Sequence, residues 1–74
     1  MRLLKYRDYT RGTIFMSVDP LKNFPYRVIA FQKGSGTVTR NLDFVEFAEA
    51  ETYYQRLNSQ AEAQAKAYAE RVAA

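Results

Sequence analysis

The sequence predicts an α+β fold, a small antiparallel sheet of three to four strands packed on one long C-terminal α-helix. Residues 1–42 are rich in β-branched, aromatic and turn residues, whereas residues 43–74 are dominated by Ala, Glu and Gln and hold neither Gly nor Pro. Charge changes at the same place. Residues 1–42 carry eight Lys/Arg against two acids, and residues 43–74 carry six acids against three bases. Third, the apolar positions of the second half recur at helical spacing, three or four residues apart. The chain thus reads as one domain of 74 residues, with a sheet region (1–42) followed by a helical region (43–74) that serves as a dimerisation element.

Leu3 to Tyr9 alternates loosely and forms a first strand, closed by Arg11-Gly12. Thr13–Val18 is a stronger strand and ends in Asp19-Pro20, the signature of a type I turn. Tyr26–Gln32, entered through Pro25, is the best strand in the chain. Lys33-Gly34-Ser35-Gly36 is a short hairpin connection, and Thr37–Leu42 completes that hairpin. Val28 and Ala30 fall on one parity of the third strand, and Ile29 and Phe31 on the other. A sheet with one wet face alternates more cleanly than this. One face is therefore expected to meet the helix, with the other either partly exposed or covered by a subunit or partner.

Asp43-Phe44-Val45-Glu46 opens the helix as a variant of the capping box. The stripe then runs Phe44, Phe47, Ala50, Tyr54, Leu57, Ala61, Ala65, Tyr68, Val72. Asn58-Ser59 is the one point where the chain could divide into two helices. The stripe keeps phase from Leu57 to Ala61, which favours a single helix. About 30 residues of helix span roughly 45 Å, against about 20 Å for a short strand, so the C-terminal part must overhang the sheet. Leu57, Ala61, Ala65, Tyr68 and Val72 are the expected oligomer interface, and a homodimer is the expected assembly.

A domain of this size is near the limit for a single core, and there is no Cys or His to supply a disulfide or a Cys/His zinc site. No metal or other cofactor is expected. Acid–base catalysis most often uses His, Cys nucleophiles are absent, and the serines have no imidazole partner, so the chain reads as a binding protein and no enzyme. No apolar run approaches the roughly 20 residues of a membrane span. The charges between Met1 and Arg7 break up any signal-peptide stretch. A cytoplasmic location, without membrane association, is the expectation.

Arg7, Arg11, Lys22, Arg27, Lys33 and Arg40 are the candidate phosphate or carboxylate contacts, and Tyr9, Phe24 and Tyr26 the candidate stacking or anchor residues. Basic groups release counterions from phosphates, and aromatic faces stack on unpaired bases. The first expectation is a basic, aromatic-bearing sheet that engages nucleic acid or a nucleoprotein. The alternative is a phage-type inhibitor or adaptor that occludes the surface of a partner protein, for example a host nuclease complex. The run Tyr26-Arg27-Val28, a Gly-bearing turn, Thr39-Arg40, then Phe44, Ala50, Tyr54 and Leu57 resembles the hairpin-then-helix plan of integrase arm-binding domains. That resemblance covers about 30 of the 74 residues and implies DNA reading by a three-stranded sheet backed by a helix. Many small phage-encoded proteins, inhibitors of host nucleases among them, look similar at this level.

Overall fold

In the computed structural model, which describes residues 1–73, four strands are followed by a single helix. They are β1 (Arg2–Asp8), β2 (Gly12–Val18), β3 (Tyr26–Gln32), β4 (Val38–Phe44) and α1 (Phe47–Ala73). The strands form one antiparallel meander in the order β1-β2-β3-β4, so every connection is a local hairpin. Ala74, the last residue of the expected helical region, lies outside the described residues.

The connections use the turn chemistry of the sequence. Asp19 accepts the Lys22 N–H on its carbonyl and the Leu21 N–H on its carboxylate, which turns the chain after β2. Gly34 and Gly36 adopt φ of 87° and 70°, a region costly for any residue with a Cβ, and the Gly36 N–H closes the β3–β4 turn on the Gln32 carbonyl.

Register sorts the side chains onto two faces. Ile14 lies opposite Ala30, Met16 opposite Val28, and Val18 opposite Tyr26, and this parity faces the helix. The helix crosses β2 and β3 and touches β4 less. Met16, Val28 and Ala50 are fully buried, with Ile14, Ala30, Tyr54 and Leu57 completing the core. A bulge at Leu4 shifts the register of β1, so that Leu3 sits opposite Ser17 and Lys5 opposite Met16, and Leu4 packs against the core.

The helix is continuous through Asn58-Ser59. Asn58 is buried because it is fully partnered. Its amide donates to the Tyr54 carbonyl at 2.8 Å, and its side-chain oxygen accepts from the Tyr9 hydroxyl at 2.5 Å. A helix of 27 residues is about 40 Å long and sets the longest dimension of the molecule, 49 Å. It overhangs the sheet, and every residue from Glu62 to Val72 is exposed.

Two sequence expectations need correction. The helix starts at Phe47 and not at Asp43, because β4 runs to Phe44 and keeps pairing with β3 there. Asp43 lies opposite Arg27 in that ladder and gives its carboxylate to the guanidinium, so it is a strand residue rather than a cap. The expected oligomer stripe is also partly used up. Leu57 is only 7% exposed and belongs to the chain's own core, Ala61 packs against that core, and the Arg11 guanidinium lies over the Tyr68 ring at 4.6 Å. Ala65 and Val72 stay exposed.

Candidate functional site

The helix covers one face of the sheet and leaves the other open. Strand parity places Leu3 and Tyr6 of β1, Phe15 of β2, Ile29 and Phe31 of β3, and Val38 of β4 on this open face, through the pairs Leu3–Ser17, Tyr6–Phe15, Phe15–Ile29 and Phe31–Val38. Leu3, Tyr6 and Val38 are each more than half exposed. Phe15 and Phe31 meet edge to face with ring centroids 6.2 Å apart, which fixes their orientation in the middle of the surface.

Four strands of seven residues, about 4.8 Å apart and rising about 3.3 Å per residue, present a face of roughly 400 Å². The largest apolar patch on an ordinary monomer is about 300–600 Å² and is often functional. The apolar part of this face is smaller than the whole, because Asp8, Thr13, Ser17, Arg27, Asn41 and Asp43 share it with the six apolar residues.

Its two ends are polar. At one, Asp8 accepts from Lys33 and from Thr13, both at 2.8 Å, and these bonds hold its carboxyl below the usual carboxylate range. At the other, Arg27 makes a two-pronged contact with Asp43, at 2.8 and 3.2 Å. The hydrogen bond from Arg27 lowers the Asp43 carboxyl, and Asp43 in turn raises the guanidinium. The β2–β3 loop folds beside this second end. Met1, Phe24 and Pro25 line a small recess there with Ser17 and Arg27.

The structure does not gather the sequence-predicted contact residues on one surface. Arg27 and Lys33 reach the rim of the open face, each already paired with a carboxylate. Arg7 is on the helix side, bonded to Glu62 at 3.0 Å, and Arg11 stacks on Tyr68. Lys22 and Phe24 lie in the β2–β3 loop, and Arg40, near the β4 bulge, donates to the Thr39 carbonyl. Tyr9 and Tyr26 serve the fold. Tyr9 bonds Asn58, and burial pushes its phenol up. Tyr26 packs edge to face on Phe47 at 5.7 Å and against the core. Lys5, a further base of the first half, bonds Glu51 at 2.6 Å.

The candidate contacts chosen from the sequence leave out Leu3, Tyr6, Phe15, Ile29, Phe31 and Val38, the apolar residues of this face. The signal for them was the apolar character of both parities in β2 and β3.

Among the described residues, no group of three or more acids is arranged to hold a metal ion, and no helix is long and apolar enough to cross a membrane. The fold and this surface define a small α+β module, a four-stranded meander backed by one helix with an aromatic sheet face left open. Comparison of the chain with protein-family models, with curated proteins and with solved structures returns no match.

Proposed function

We propose that this protein is a non-enzymatic binding module that occludes the surface of a partner protein with the open face of its sheet, in the manner of a small phage-type inhibitor or adaptor. One observation carries the reading. The uncovered face is apolar and aromatic at its centre, while the bases at its ends are neutralised by Asp8 and Asp43. Protein interfaces have this anatomy, an aromatic centre depleted of charge within a polar rim. A nucleic-acid site needs the reverse, free cations along the path of the phosphates. Arg27 and Lys33 sit in exposed ion pairs that solvent screens strongly, so a partner carboxylate can take either base at little cost. The proposal includes a cytoplasmic setting, which the absence of cysteine favours.

Nucleic acid is the second reading. The net charge of +3 supports it, as do Arg11, Lys22 and Arg40, which among the described residues make no ion pair.

Affinity purification from the native host, with and without nuclease, separates the two. The protein reading expects one stoichiometric protein that survives nuclease and moderate salt. Recovery of that protein by a Tyr6→Lys/Val38→Lys variant at wild-type yield would show that the open face is not the site. Binding of DNA or RNA that falls by orders of magnitude between low and moderate salt supports the second reading instead.

A further inference from the structure

We infer that α1 also carries a self-association seam, and that its occupant is the antiparallel α1 of a second copy of this chain, centred on Gln60. The seam is not the stripe Leu57-Ala61-Ala65, which the chain's own core largely uses. It lies around the helix, on the face that carries Glu49, Tyr53, Arg56, Gln60, Ala67 and Arg71. These recur at steps of three, four or seven residues, which keeps them on one side of a helix with 3.6 residues per turn.

The order of residues on this face is complementary to its own reverse. Glu49 and Arg71 lie eleven residues to either side of Gln60, and Tyr53 and Ala67 lie seven. Two antiparallel copies related by a two-fold axis at Gln60 therefore set Glu49 of each against Arg71 of the other. They also set each large Tyr53 against a small Ala67. A two-fold interface must be self-complementary in this way. Glu49 in the first turn and Arg71 in the last also suit a lone helix dipole, so the charges alone would carry little. Antiparallel pairing adds to that effect, because each positive helix end then meets a negative one.

The second observation is a groove beside the same face. Leu42, Phe44 and Tyr53 floor it, and Glu49 and Arg56 flank it. Leu42 is 46% exposed although it lies on the helix side of the sheet, because α1 crosses β2 and β3 and covers β4 only in part, at Phe44. The overhanging end of a second α1, lying antiparallel along the seam, fills this groove with Ala63 and Ala67, whose small side chains permit close approach. The overhang from Glu62 to Val72 meets its own sheet through Arg7 and Arg11, and this arrangement gives its other face a partner. The open sheet face is on the far side of the molecule and stays free, so the inference stands apart from the proposed function.

The absence of cysteine makes a direct test simple. Gln60→Cys should give a covalent dimer on mild oxidation, whereas Gln55→Cys, on a different side of the same helix, should not. Light scattering should give a dimer at tens of micromolar. Arg71→Glu should weaken dimerisation by roughly tenfold or more through two like-charge contacts, and Glu49→Arg added to it should restore the dimer. The two residues are about 33 Å apart along one helix, so such a rescue can only act between chains. A monomeric mass for the wild-type chain, equal cross-linking at both cysteine positions, or failure of the charge swap in a variant with wild-type circular dichroism would overturn the inference.

Discussion

The Tyr9 hydroxyl donates to the side-chain oxygen of Asn58 across 2.5 Å and ties the end of β1 to the middle of the helix. The bond explains why a polar residue sits 5% exposed at a mid-helix position. Asn disfavours helix interiors because its side chain competes for backbone groups. Here the amide is satisfied by the Tyr54 carbonyl one turn back, and the oxygen is satisfied from another element. Tyr9→Phe leaves that oxygen buried without its donor and should cost about 1–3 kcal/mol in urea unfolding. Adding Asn58→Leu should cost less than the sum of the two single changes, since contacting groups couple.

Gly12 is required for space. A Cβ at this position would stand 2.6 Å from the Phe31 carbonyl oxygen, which is backbone held in the β2–β3 ladder. Gly12→Ala must therefore displace a strand, at about 1–3 kcal/mol. Gly34→Ala meets no atom within 4 Å but keeps a φ of 87°, so it should cost about 1–2 kcal/mol through backbone strain alone. The melting temperatures of the two variants test both statements.

Acid should loosen the two rim ion pairs. The carboxyls of Asp8 and Asp43 titrate lower in the folded chain than their ordinary value of 3.8, so the unfolded chain binds more protons as acid is added. Their contribution is complete above the ordinary value and is lost as pH falls through it toward the lower folded values. Stability measured from pH 6 downward should be flat at first and drop below about pH 4. In Asp8→Asn/Asp43→Asn the part of that drop owed to these pairs should disappear.

The open face should tolerate change in stability but not in binding. Tyr6 and Val38 are 58% and 54% exposed, and surface substitutions away from special features usually move stability by no more than about 0.5 kcal/mol. Aromatic residues at the centre of an interface often cost 2 kcal/mol or more of binding. Tyr6→Lys should therefore unfold at nearly the wild-type denaturant concentration and still lose partner affinity by at least about tenfold. A calorimetric titration with the purified partner reads the second effect.

The limits of β3 were legible to the residue, because Pro25 and the Gly-bearing turn bracket a run of strand formers with no competing signal. Continuity of the helix was legible from the unbroken phase between Leu57 and Ala61. The start of the helix was not. Asp43 and Glu46 satisfy a capping pattern locally, but Arg27 on the neighbouring strand takes the Asp43 carboxylate and extends β4. The pairing of the candidate bases was illegible for the same reason. Lys5 finds its carboxylate on Glu51, 46 residues away, and Arg7, Arg27 and Lys33 find theirs on other elements. Formal charge along the chain counted those bases as free.

The sequence by itself determined the class of fold, the order of its elements and the overhang of the helix. These depend on local propensity, turn chemistry and periodicity, each of which acts over a few residues. Only the tertiary structure decided which bases are neutralised, which tyrosines are structural and which side of the sheet stays open. Those outcomes depend on the line the helix takes over β2 and β3. That line is set by packing between residues distant in sequence, where Ala50, Tyr54 and Leu57 meet Ile14, Met16 and Val28.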